Sequence, residues 1–150
     1  SKYQYVDGGS YINAADALSN MGQLLFEPPS VFGWDWESSW INSSTLLARY
    51  GFVRDVISAR DKGKSAFRPE RLFTFTRSAG VDPETVVDAV TGLLGVQESF
   101  APGTDGRNAL IDYLTDGLGG TIDFSNDTTR DKKLRGVVLL VTQSPAYMLY

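Results

Sequence analysis

The chain contains no cysteine and no histidine. Without Cys there is no disulfide, no thiolate nucleophile and no zinc–thiolate site. That absence selects no compartment, because cysteine-free domains suit oxidising and reducing ones equally. Without His there is no Ser-His-Asp triad, no imidazole metal ligand and no side chain whose unperturbed pKa lies near neutrality. Long apolar runs are missing too. The longest aliphatic run, Val137 to Val141, falls far short of the ~20 residues needed to cross a bilayer. The opening SKYQYVDGGS has neither a signal-peptide core nor an initiator Met, and reads as the start of a processed or excised piece. The chemistry left is carboxylate or lysine acid–base work, or an oxygen-ligand site for a hard cation.

What is present is ordinary for a folded domain. Apolar residues make up 42% and charged residues 21% of 150 positions, enough for one domain with a real core. The net charge of −4 is uneven: Arg49 to Arg77 holds eight basic residues against Asp55, Asp61 and Glu70. Aromatics interleave with these bases, as in some nucleic-acid binders. Arg49, Arg54 and Arg60 fall on expected helix surface, however, and Lys62 and Lys64 fall in a loop. Solvated bases on an acidic chain predict no nucleic-acid partner.

Hydrophobic spacing predicts an all-α fold, an irregular bundle of about five to six helices with a long Pro/Trp-rich loop. Residues 1–11 read as a leading segment or linker and 12–150 as the helical part. Ala14, Leu18, Met21 and Leu25 predict a helix from Ile12 to about Leu25, ended by Pro28 and Pro29. A second helix starts near Ser43 or Ser44 and ends at the turn DKGKS. A short one is predicted from Pro69 to Ser78. Asp82, Pro83 and Glu84 form a strong start signal for the next, with Val86, Val90, Leu93 and Leu94 inward. Thr104 or Asp105 caps another, with Leu110, Tyr113 and Leu114 inward. The last long helix, Thr128 to Gln143 with Asp127 or Thr128 as cap, has Leu134, Val137, Val138 and Val141 as its buried stripe, which Leu139 and Leu140 widen until the helix is apolar nearly all round.

Few motifs carry chemistry. DFSNDTTRDKKL starts like a calcium loop at Asp123, Ser125 and Asp127, but Thr128 and Leu134 stand where that loop needs Gly and Glu. No metal and no cofactor is expected. Asp112 and Asp116 lie one helical turn apart on a solvent face. The segment FEPPSVFGWDWESSWIN packs Trp34, Trp36 and Trp40 around Asp35 and Glu37, with Asn42 close behind. Aromatic rings beside carboxylates are what sugar-binding clefts use, so these six residues are the candidate binding set. The structural alternative is that Val31, Phe32, Trp34, Trp40 and Ile41 fasten the loop onto its own helices, since each large aromatic buries ~150–250 Å². Trp36, between two acids, is the ring left for exposure. Arg49, one turn past Leu46, is placed to bind loop carbonyls or Glu27.

The same stretch resembles the bacterial family catalogued as domain of unknown function 1800, through Met21, Gly22, Gln23, Leu25, Phe26, Pro28, Pro29, Val31, Gly33, Trp34, Trp40, Ile41, Asn42, Leu46, Leu47, Arg49 and Phe52. DKKLRGVVLLVTQSPAY resembles the closing helix of that family and its Ser-Pro-x-aromatic finish. Asp35, Trp36 and Glu37 depart from the Pro and Gly usual after Gly-Trp, and Ala146 stands where an acid is usual. The resemblance implies the C-terminal segment of a longer, helical, exported bacterial protein, periplasmic or extracellular. It implies no activity. Gly22, Gln23, Pro28, Pro29, Gly33 and Arg49 are then structural motif residues. The expected role is a structural or interaction module without catalysis of its own, packing on the N-terminal part of its parent or on another chain. The alternative is part of a carbohydrate- or cell-envelope-active enzyme whose catalytic residues lie upstream.

Overall fold

The computed structural model describes residues 4–7, 10–23, 26–28, 30–33, 41–61, 64–65, 67–73 and 77–148. They fall into two compact units, one of residues 1–67 with 148–150 and one of residues 68–147. The fold class is all-α as the spacing predicts, with six α-helices among the described residues.

The first unit opens with an antiparallel hairpin that the sequence did not announce. Strands β1 (Gln4–Asp7) and β2 (Ser10–Asn13) pair in the register Gln4 to Asn13 and Asp7 to Ser10. A second small hairpin, β3 (Arg60–Asp61) with β4 (Lys64–Ser65), flanks the segment DKGKS where the turn is expected. Four-residue and two-residue strands are too short for alternation to show. The first helix, α1 (Ala14–Asn20), is therefore shorter at both ends than its spacing predicts. Its start is consumed by β2. Its end is set by Gly22, not by the prolines: with φ at +73°, Gly22 lets its own N–H reach Ser19 O (3.0 Å) and the Gln23 N–H reach Leu18 O (2.8 Å). This paired closure needs a left-handed residue, which Gly adopts at little cost. The Met21-Gly22-Gln23 triplet is thus a helix stop. Met21 is buried beside it.

Helix α2 (Ser43–Ser58) packs against α1. Its cap is Asn42 rather than Ser43 or Ser44. Asn42 Oδ1 accepts from the N–H of Ser44 (2.9 Å) and Thr45 (3.0 Å), while Thr45 Oγ1 accepts from the Asn42 N–H (2.9 Å). Three N–H donors at the helix start are thus satisfied, those of Asn42 and Thr45 reciprocally.

In the second unit, the helix predicted over Pro69–Ser78 is a single 3-10 turn, Pro69–Arg71. Ser78 and Val81 are tied instead to a later segment, through Phe124 N–H to Ser78 O (2.9 Å) and a two-bond bridge between Val81 and Ile122. Helix α3 (Pro83–Leu93) starts as predicted, with Asp82 accepting from the N–H of Glu84 and Thr85. Val87 and Thr91 join Val86 and Val90 inside, whereas Leu93 is exposed. Helix α4 (Asp105–Thr115) is capped by Thr104, and α5 (Asp127–Thr142) by Asn126, one residue before Asp127 and two before Thr128. A short α6 (Pro145–Met148) follows. Helices α3, α4 and α5 pack on one another around Val86, Val90, Leu110, Leu114, Leu134 and Val137, all buried. Phe124, wholly buried, completes this core from the segment before α5. No described helix is long and apolar enough to cross a membrane.

Candidate functional site

Of the residues proposed for binding, Trp34, Asp35, Trp36, Glu37 and Trp40 lie outside the described residues, as does Pro29. Asn42 is described, and its side-chain oxygen is committed to the start of α2. Gly33, with φ at +93°, closes a tight turn on Ser30: its N–H meets Ser30 O (3.1 Å) and the Phe32 N–H meets Ser30 Oγ (3.2 Å). A residue other than Gly would be strained there.

That turn places Val31 and Phe32 at its two corners, and both are exposed, at 95% and 93%. Phe26 is as open, and its φ of 67° is a conformation that bulky residues seldom adopt. The expectation that Val31 and Phe32 fasten the loop to its own helices is therefore overturned. Ser30 and Gly33 hold the corners by local hydrogen bonds, so the turn keeps its shape without burying them. Leaving a Val or Phe side chain in water forgoes about 1.5–3 kcal/mol each. Corner positions usually go to Gly, Asn, Asp or Pro. Val-Phe at this place is an apolar display. Exposed Glu27 and Pro28 stand beside it.

Arg49, the last motif residue, is half-buried, and burial lowers its pKa from the ordinary value. Its described hydrogen bond runs from Nη1 to the carbonyl of Met148 (3.3 Å), on the far side of the sequence from the loop and from Glu27.

The second unit holds three buried cations that sequence reasoning passed over. Arg107 on α4 donates to Asp88 and Glu84 of α3 and to the Phe100 carbonyl (3.3 Å). Arg130 on α5 donates to the Phe124 carbonyl (3.4 Å) and pairs with Asp127 (2.9 Å). Lys133 donates to the Tyr113 carbonyl (2.7 Å) and to Asp116, with its ammonium 5.1 Å from the Tyr113 ring centre. Their signal was readable. Arg107, Leu110 and Leu114 share one helical face, as do Arg130, Leu134 and Val137, so each base sits in register with a buried stripe. Long apolar stems lie in the core while charged heads reach acids and carbonyls at its rim. These contacts join helices and leave Asp116 engaged with Lys133.

The carboxylates of the calcium-like segment are engaged as well. Asp123 accepts from the N–H (2.9 Å) and hydroxyl of Ser125, and Asp127 is held by Arg130. Among the described residues no group of three or more acids, with or without other ligands, could hold a metal ion.

Three acids are pulled below the ordinary carboxylate range. The Lys133 hydrogen bond does this to Asp116, the Thr85 hydroxyl to Asp82 and the Ser125 hydroxyl to Asp123. A lowered folded pKa gives stability that is present above the unfolded value of ~3.9 and lost as pH falls through the folded one. No side chain of this chain has an unperturbed pKa between 5 and 8. Urea midpoints should therefore stay level from about pH 5 to 8 and fall only below about pH 4. Asp116→Asn should shrink that acid loss. A step between pH 6 and 7 would contradict the assignment.

No curated protein and no solved structure matches the chain. One family model does, "Protein of unknown function (DUF1800)", over residues 8–149, which take in both the displayed turn and the helices of the second unit. The Gly22 stop, the Asn42 cap and the Gly33 turn give physical reasons for residues on which the resemblance rests, and the chain belongs to the DUF1800 family.

Proposed function

We propose that this chain is an interaction module without catalysis of its own, the C-terminal segment of an exported bacterial protein, which presents the Ser30–Gly33 turn to an apolar groove. The groove belongs to the N-terminal part of the parent or to another chain. The observation that supports this reading is the exposure of Val31 and Phe32, at 95% and 93%, on a turn fixed by its own hydrogen bonds. A pre-shaped turn loses little entropy on docking, so apolar area buried there converts to affinity with less loss.

The test is photo-crosslinking in the cells that make the full-length protein. Benzoylphenylalanine replaces Phe32 in one variant and Glu98, an exposed residue of the second unit, in the other. Position 32 should give one discrete adduct, within the parent chain or to a partner, and position 98 none. No adduct at 32, or the same smear from both positions, would sink the proposal.

A further inference from the structure

Phe26, Glu27 and Pro28 precede the displayed turn, and all three are exposed, Phe26 at 93%. With φ at +67°, Phe26 stands in the left-handed region, which bulky L residues rarely adopt. Its side chain gains no burial there within the chain. Backbone outliers of this kind cluster at binding elements. Phe26 lies five residues before Val31, so their Cα atoms are at most ~18 Å apart and fit one groove.

Charge along this stretch has one sign. From Tyr3 to Ala48 the sequence carries Asp7, Asp16, Glu27, Asp35 and Glu37, and neither Lys nor Arg. Glu27 adjoins the display in sequence and is exposed. An opposite charge at the rim of a receiving surface steers and orients docking. A bilayer is the other apolar acceptor for an exposed Phe-bearing turn. Segments that settle on anionic membranes, however, carry Lys and Arg beside their apolar residues. This stretch carries the opposite sign.

Resting on the docking role of the Ser30–Gly33 turn, we infer that the groove which takes it is a protein surface rimmed by Lys or Arg. Glu27 meets this rim, and Phe26 fills a second apolar pocket. The partner then matches a sequence pattern of apolar, acidic and apolar anchors, with Pro28 fixing its own φ between them. Val31 and Phe32 alone would suit any apolar cleft. Phe26 and Glu27 make the choice selective, since a groove with an acidic rim would repel Glu27.

The experiment keeps benzoylphenylalanine at position 32 of the full-length protein, in the cells that make it, and adds one further change at a time. Phe26→Gly should cut the yield of the discrete adduct about tenfold or more, as for an apolar side chain buried only on docking. Glu27→Gln should cut it about two- to fivefold, and Glu27→Lys further still. In the 150-residue chain alone, Phe26→Gly should leave the urea midpoint level or raise it, because glycine takes the positive φ without strain and no burial is lost. That chain should not sediment with vesicles of phosphatidylglycerol and phosphatidylethanolamine. If position 32 gives no adduct with Phe26 and Glu27 intact, the docking role itself fails. If the adduct forms and Glu27→Lys leaves or raises its yield, the basic rim is wrong. If Phe26→Gly leaves the yield unchanged, or lowers the urea midpoint of the chain, Phe26 is no anchor. Sedimentation with the vesicles, strengthened by Glu27→Lys, would assign the display to a membrane and overturn the inference.

Discussion

Arg107→Ala should lower the stability of the second unit by about 2–4 kcal/mol, a drop of roughly 10–20 °C in its melting midpoint. The guanidinium is 4% exposed, yet its partners Glu84 and Asp88 are about three-fifths exposed. The hydrogen bond that Arg107 donates to Asp88 raises the Arg107 pKa against the pull of burial, so pairing outweighs desolvation. The loss on truncation comes from three sources: the stem packed between α3 and α4, the Phe100 carbonyl left without its donor, and the link to two acids. Because each single acid change leaves the guanidinium its other acid, the Phe100 carbonyl and a neutral amide oxygen as acceptors, Glu84→Gln and Asp88→Asn should each cost only about 1 kcal/mol. That asymmetry is the check. If the acid variants destabilise as much as Arg107→Ala, the ion pairs carry the energy and the buried stem does not. Chemical denaturation followed by circular dichroism separates the two outcomes.

How much of this was legible beforehand differs from residue to residue. The start of α3 was readable because Asp82, Pro83 and Glu84 act locally: a cap, a preset φ and a charge at the dipole end need nothing from the rest of the chain. The stripe Leu134, Val137, Val138 and Val141 was readable for the same reason, as helical period suffices. The stop at Gly22 was misread because Leu25 kept the period going past it. The closing hydrogen bonds depend on a positive φ, and sequence spacing carries no trace of one. The caps of α2 and α5 were each set one or two positions late, at Ser, Asp or Thr where Asn42 and Asn126 do the work. Neighbouring polar residues compete for a cap, and backbone geometry decides among them. At the candidate site, Gly33 was legible as a motif residue. The outward aim of Val31 and Phe32 was not, because their size argued for burial and only the Ser30–Gly33 bonds set their direction.

Gly136→Ala should destabilise the second unit by about 2–3 kcal/mol, although alanine is the better helix former by about 1 kcal/mol. Gly136 lies inside α5, where the Tyr113 ring of α4 rests directly on its backbone. A methyl group there would fall within the body of the ring, not only against its hydroxyl, so a small shift of the tip cannot clear it. The ring must swing out. It would then lose its place under the Lys133 ammonium and the bond from its hydroxyl to the Lys132 carbonyl (3.3 Å). Tyr113 would also lose the burial that, more than the nearby Asp116 charge, raises its pKa above the ordinary value. The decisive measurement uses a second background. In Tyr113→Ala the obstacle is gone, and Gly136→Ala should become neutral or stabilising by up to about 1 kcal/mol. A change of sign between the two backgrounds assigns the glycine to the α4–α5 contact. The same destabilisation in both would mean that α5 needs glycine for a reason of its own backbone, and the close approach of Tyr113 would be a consequence of that need.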